Sequence, residues 1–402
     1  MLCFVRFCLP VRRVDRETPV LYTAPVTTLN QTLISLPHSS LWYHRISLTL
    51  FRLFLESRVE AGGGNQERPS TVELNREAPY VLGVDLGGTN VRAAVLDKEG
   101  KQLGAGRSPS LATEGVENTV SQIVHAVKTA IRSAGVDDKE IAGVGIGVPG
   151  HIDEKNGVVL WAPNFFEKGQ PYRNIILGKP IEAQINLPVF MGNDANVAAL
   201  GEFRFGAGRT VRTMVMVTLG TGIGGGIILD GKLWTGATGG AGEIGHIIIA
   251  AGERGGAAAY GSLESMGQIA AIVERAARKI SLGRKTSLAD KVDYDWHLLT
   301  PKDIADSAAE GDAVSIEVFE ETGYYVGLGI ASMVNLLNPE MVVIGGGVAQ
   351  AGDLILDPIR RATRANAIKT MIDICPIVPA ELGDDAGIYG GASLVLDALE
   401  AA

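Results

Sequence analysis

Apolar positions run almost unbroken through Val81-Leu-Gly-Val-Asp85-Leu and again through Met214-Val-Met-Val-Thr218-Leu, and each run ends in a glycine-rich turn. The first turn is Gly87-Gly88-Thr89-Asn90. The second is Gly220-Thr221-Gly222-Ile-Gly224-Gly225-Gly226. Both lead into another β-like run, at residues 91–96 and 227–229. Short apolar runs bounded by turn residues predict buried strands, so each unit reads as strand, turn, strand. The unit occurs twice, about 130 residues apart, which predicts two related halves facing a shared cleft.

Elsewhere the period changes. Val116, Val120, Ile123, Val127 and Ile131 recur at helical spacing within residues 113–134. An apolar run over 141–148 then predicts a strand ending at Pro149-Gly150. This strand, helix, strand order argues for an α/β fold. Next come apolar pieces over 157–161, a turn at Ala162-Pro163-Asn164, a helix over 174–186, and a strand over 187–191. Gly192-Asn193-Asp194-Ala195-Asn196 closes that strand and opens a helix over 195–203. In the second half helices are predicted over 262–280, 300–309 and 313–337. Asn338-Pro339 stops the last one, because a residue before proline leaves the helical region. A strand over 341–344 runs into Gly345-Gly346-Gly347, and a glycine turn from Gly387 opens a C-terminal helix. The expected architecture has a smaller N-terminal lobe over 79–193 and a larger lobe over 194–387, with helix 388–402 packing back on the first.

Composition narrows the possibilities. The chain has 402 residues, 46% hydrophobic and 20% charged, which suits a soluble protein of about two domains. Its net charge is −9, so the overall balance gives no support to a nucleic-acid surface. An acidic body suits a small-molecule enzyme whose Mg²⁺ arrives with an anionic substrate. Cys3, Cys8 and Cys375 imply no disulfide framework, and a reducing cytoplasm is the default setting. No apolar run is long enough to span a membrane.

Residues 1–78 stand apart: they hold no Lys, the first being Lys98, and they end in the breaker-rich stretch 61–70. An Arg-rich transit peptide and a helix-turn-helix arm are two readings. The favoured one is an upstream start, with the protein beginning near Val59 or Val72 at a non-ATG codon, since no Met separates Met1 from Met191.

The turns carry the first chemical argument. A glycine turn between strands lets backbone N–H groups converge on one spot, which suits a phosphate, and two turns can hold two ends of a triphosphate. Neither is a Walker loop or a dinucleotide fingerprint, because Gly-Lys-Ser/Thr is missing and no helix follows. Asp85, at the end of its strand, is placed to meet a hard cation or its water. Gly345 to Gly347 could let a base and ribose lie on the backbone. Asp194 is a candidate base for a hydroxyl proton, although capping the helix that follows would also explain an acid there.

The pieces Asp85-Leu-Gly-Gly-Thr-Asn90, Pro149-Gly150, Pro163-Asn164, Gly192-Asn-Asp-Ala-Asn196, Thr218-Leu-Gly-Thr-Gly-Ile-Gly-Gly-Gly226, Gly242-Glu-Ile-Gly-His246 and Gly345-Gly-Gly-Val-Ala349 together resemble the ROK family (repressors, open reading frames and kinases) of the actin-like ATPase superfamily. The similarity is strongest to its bacterial glucokinase branch and covers residues 80–400. It implies a two-lobed, ribonuclease H-like α/β fold and ATP-dependent phosphorylation of a hexose, glucose first. N-acetylglucosamine, N-acetylmannosamine or fructose are alternative acceptors, and polyphosphate is an alternative donor.

The resemblance further implies ATP phosphates at Gly87, Gly88, Thr89 and Asn90 and at Gly220, Thr221 and Gly222, Asp85 and Thr218 also on the cofactor side, adenosine near Gly345 and Gly346, and Mg²⁺ at Asp85 through water. Asn164, Asn193, Asp194, Glu243, His246 and Glu264 would hold the sugar, with Asp194 as general base. A homodimer without nucleic-acid or membrane partners is the expected state. A sugar-sensing repressor is the rival reading, and it would need an N-terminal winged helix-turn-helix that residues 1–78 do not convincingly supply. One departure stands out: where the family has three zinc-binding Cys, this chain has Gly255, Ala257 and Ser262. No zinc site is expected, since His246 alone cannot make a four-ligand site.

Overall fold

The computed structural model describes residues 72–250, 261–292, 295 and 298–401. The leader ahead of residue 72, and positions Gly255 and Ala257, lie outside the described residues.

Each glycine turn closes an antiparallel hairpin at the centre of a five-stranded sheet. In the first sheet β1 (Tyr80–Leu86) pairs antiparallel with β2 (Asn90–Asp97), which pairs with β3 (Gln102–Pro109). On its other side β1 pairs parallel with β4 (Ile141–Val148). Three strands, β5 (His151–Asp153), β6 (Val158–Glu167) and β7 (Gln170–Ile176), form a separate small sheet. The chain then returns as β8 (Val189–Asn193), parallel to β4.

The second half repeats this plan with β9 (Met214–Leu219), β10 (Ile223–Leu229), β11 (Lys232–Leu233), β12 (Met341–Gly345) and β13 (Ile377–Pro379), in the order β11-β10-β9-β12-β13. The first sheet has the matching order β3-β2-β1-β4-β8. The two-lobed actin-like fold follows from this duplication.

Helices cover the sheets. Helix α1 (Val116–Ala134) lays Val120, Ile123, Val127 and Ile131 on the first core and stops at Gly135 in the left-handed region, φ 71°. Helices α2 (Gly178–Ile185) and α3 (Asp194–Phe205) flank β8. The second core is built from α4 (Leu263–Gly267), α5 (Ile269–Ser281), α6 (Pro301–Ala309), α7 (Ala313–Leu337) and α8 (Asp353–Asn366). Helix α9 (Ala386–Ala401) is the last element. Among the described residues no helix is long and apolar enough to cross a membrane.

Several local expectations are corrected. Residues 174–186 are not one helix, because 170–176 pair as β7 with β6 before α2 begins. The turn at Ala162-Pro163-Asn164 is a bulge inside β6, which tolerates a proline because no ladder N–H is needed there. The helix expected over 262–280 breaks at Gln268, whose extended backbone separates α4 from α5. The helix expected from residue 113 begins at Val116. Asn338 does stop α7, but as a left-handed cap with φ 47° whose N–H donates to Val334.

The glycines after Gly387 form no turn. They lie inside α9, which is wedged between the first sheet and α3. A Cβ at Gly391 would sit 2.5 Å from the Gly145 carbonyl oxygen of β4. One at Gly83 of β1 would overlap the Ile388 carbonyl, and one at Gly390 the Val197 carbonyl of α3. Backbone therefore touches backbone on both faces of α9. Fully buried Glu202 of α3 adds polar ties, accepting from Ala207 N at 2.9 Å, Glu381 N at 3.1 Å and Leu382 N at 2.7 Å, and so anchors the segment that leads into α9.

Gly391→Ala is expected to lower unfolding free energy by at least about 3 kcal/mol, the upper end of overpacking costs, since backbone and not a flexible side chain must move. Urea denaturation checks this, and a midpoint equal to wild type would contradict it.

Candidate active site

A cavity of about 810 Å³ opens where the ends of β4 and β8 and the bulged middle of β6 face the turn between β9 and β10. Asp194 is the first residue of α3, at the end of β8. Asn193, not Asp194, caps the helix: its Oδ1 accepts from Ala195 N at 3.0 Å and Asn196 N at 3.1 Å. Its Nδ2 donates to Gly150 O and to Asp194 Oδ1, both at 3.0 Å. An Asn side chain offers two donors and two acceptor positions, so these four bonds use all of Asn193. Asn193 also lines the cavity, and its bond to Asp194 Oδ1 ties the two side chains together.

Asp194 shares the Ala195 N–H with Asn193, its Oδ1 accepting from it at 2.9 Å and from Asn193 Nδ2, while the other oxygen is available to the cavity. Burial pushes its carboxyl above the usual carboxylate range, and the charges of Asp85 and Glu243 add to that, against the Ala195 hydrogen bond.

The other acceptor-side candidates share this cavity. Exposed Asn164 is carried by the β6 bulge. Glu243 and His246 flank the short 3-10 turn Ile244–His246 and are largely exposed, with Nε2 and Oε2 3.9 Å apart. Glu264, on α4, accepts from Ile223 N at 2.9 Å and so ties the acceptor side to the second glycine turn. Ser262, at a position where the family carries Cys, caps α4 by accepting from Ser265 N at 3.2 Å.

The donor-side candidates divide. Thr218, Gly220, Thr221, Gly222 and Gly346 line the same cavity as Asp194. Gly346 has φ 85°, and any Cβ there would overlap the Leu219 backbone. Gly345 is buried opposite Thr218 and packs against Met216, so it does not line the cavity.

Asp85, Gly87, Thr89 and Asn90 line a separate cavity of about 390 Å³. Gly88 is exposed and lines neither, while its carbonyl accepts from Ser110 Oγ at 2.8 Å. The second turn thus lines the larger cavity and the first turn the smaller one, and the charge of Asp85 reaches Asp194.

Sequence reasoning missed Arg92. It donates to Asp85 Oδ2 at 2.6 Å, to Asp385 Oδ1 at 3.1 Å and to the Asp384 carbonyl. It faces Asp85 directly across the β1–β2 ladder, so the strand register could have found it. His151 and Trp161 were also missed, and both line the larger cavity.

Comparison with known proteins agrees with this architecture. The ROK family model matches residues 81–398. The chain is 36% identical over 321 residues to the glucokinase of Halalkalibacterium halodurans, covering 79% of this chain and 94% of that protein. It is 30% identical over 348 residues to the xylose repressor of Caldicellulosiruptor bescii, covering 84% of each. Among solved structures, the ROK family glucokinase from Streptomyces griseus in complex with glucose and AMPPNP superposes with TM-score 0.66 at 35% identity, covering 79% of this chain and 99% of that one.

The strained carboxyl has a stability signature. A carboxyl raised above its unfolded-state value costs stability where it is ionised, and the cost disappears as pH falls through the raised value. Asp194→Asn is neutral at every pH and its amide oxygen can still accept from Ala195 N. Thermal melts at neutral pH should therefore place the variant at or above wild type, with the difference shrinking toward acid. A lower melting temperature for the variant would contradict this.

Proposed function

Since the chain belongs to the ROK family, we propose that it is an ATP-dependent sugar kinase that phosphorylates the 6-hydroxyl of glucose. The observation that carries this reading is Asp194: a carboxylate held by Asn193 and Ala195 with one oxygen open, in a cavity walled by amide and carboxylate groups on one side and a glycine turn on the other.

In this reading Asn164, Glu243, His246 and Glu264 take the sugar hydroxyls. Each hydroxyl both donates and accepts, and a sugar lacking the matching hydroxyl would leave one of these polar groups unpaired as the lobes close. Asp194 receives the proton of the 6-hydroxyl as its oxygen attacks the γ-phosphate in line. The turn at Gly220 to Gly222 and the turn at Gly87 to Asn90 steady the phosphates from two sides, and the lobes close to exclude competing water. Gly346 offers open backbone for the adenosine.

Among the described residues no group of three His, Cys, Asp or Glu could hold a metal ion. Mg²⁺ arriving on ATP with its own waters would meet Asp85, a hard oxygen ligand. When bound it would shield the phosphate charge. Asp85 is steadied for that by Arg92 on Oδ2, and its Oδ1 lies where any Cβ at Gly387 would come within 2.8 Å. A cytoplasmic homodimer without nucleic-acid partners is part of the same proposal and rests on family resemblance.

The test is ADP release from Mg²⁺-ATP by the full chain across glucose, N-acetylglucosamine, N-acetylmannosamine, mannose and fructose, with polyphosphate substituted for ATP in parallel. Glucose turnover should fall roughly 10²–10⁴-fold in Asp194→Asn. Because only ionised Asp194 accepts a proton, kcat/KM should decline on the acid side with an apparent pKa above that of an ordinary aspartate. Sugar binding without turnover by wild type would instead favour a sensor of the kind the xylose repressor relative represents.

A further inference from the structure

Trp161 is an indole left 48% exposed on the wall of the larger cavity, which it shares with Asn164, Asp194 and Glu243. Its position follows from strand register. In the β5–β6 pair His151 opposes Trp161 and Ile152 opposes Val159, so Leu160 is the extra residue of a bulge. Neighbouring residues on a strand face opposite sides. His151 and Ile152 therefore point apart, and so do Trp161 and Val159. Ile152 and Val159 are buried in the first core. His151 and Trp161 face the cavity together. Without the bulge Trp161 would share the face of Val159 and enter the core.

The His151 ring is itself fixed, its Nε2 lying 2.7 Å from the Thr238 carbonyl oxygen. A Cβ at Gly239 would lie 2.5 Å from the Ile152 carbonyl, so the β5–β6 hairpin is seated closely on the segment that leads to Glu243. The second β6 bulge then puts Asn164 three residues beyond Trp161 on the same cavity wall.

We infer that Trp161 is a specificity-determining residue of the acceptor site, a flat platform that receives the apolar C–H face of a pyranose while Asn164 and Asp194 address its hydroxyls. The inference rests on the sugar-kinase reading and deepens it. The negative face of an aromatic ring attracts polarised C–H groups as it attracts cations, and the apolar area removed from water adds to this. An axial substituent on that face would lift the ring off the indole, which adds a steric penalty to the discrimination made by the hydroxyl contacts.

The experiment uses the full chain with glucose and Mg²⁺-ATP, and compares wild type, Trp161→Phe and Trp161→Leu. Wild type should show a change in tryptophan fluorescence on adding glucose without ATP. Trp161→Phe should lose that change while keeping the glucose KM within about threefold. Trp161→Leu should raise the glucose KM roughly tenfold, the scale of an aromatic contact plus lost area, with kcat and the ATP KM nearly unchanged. A wild-type glucose KM in Trp161→Leu, or a persisting fluorescence change in Trp161→Phe, would overturn the platform. Neither fluorescence change nor turnover in wild type would overturn the sugar-kinase reading itself, a result separable from the other two.

Discussion

Everything at the candidate site depends on one helix being able to touch its neighbours backbone to backbone. Helix α9 lies between β1 and β4 on one face and α3 on the other, and the glycines at 83, 145, 390 and 391 remove the side chains that would hold these elements apart. Two acids are positioned by that contact. Asp85 ends the strand carrying Gly83 and lies beside Gly387. Asp194 begins the helix whose Val197 carbonyl presses on Gly390. Widening this packing by one methyl group would move both acids, and interiors packed at crystal-like density absorb such changes poorly.

Bringing those acids near each other has a cost. Burial raises the Asp194 carboxyl, and the charges of Asp85 and Glu243 add to that. Arg92 offsets part of the charge by pairing with Asp85 and Asp385. The arrangement resembles other sites where stability is given up for a group whose proton affinity matches its task. Asn193 and Asp194 share the first-turn N–H of Ala195, so the start of α3 occupies only one of the Asp194 oxygens.

Much of this is legible in the amino-acid sequence itself. The doubled strand-turn-strand, the helix over 313–337 and its stop at Asn338 depend on short-range pattern, and they stand as read. What escaped depends on partners distant in sequence. Residues 170–176 become a strand because β6 is there to pair with them. The two bulges of β6 are properties of register, and register decides that Trp161 faces the cavity while Val159 faces the core. Glycines 387, 390 and 391 look like a turn on local propensity alone, yet they serve close packing inside a helix. The sugar-side candidates came from the family resemblance, and their hydrogen-bond partners, such as the four of Asn193, required three-dimensional geometry.

The most direct measurement is a crystal structure of the full chain with glucose and a non-hydrolysable ATP analogue. The account predicts the sugar's 6-hydroxyl within about 2.6–3.2 Å of an Asp194 carboxylate oxygen, with the terminal phosphate between the turns at Gly87 and Gly220. A sugar bound with its 6-hydroxyl directed away from Asp194, or a nucleotide seated outside both turns, would contradict it.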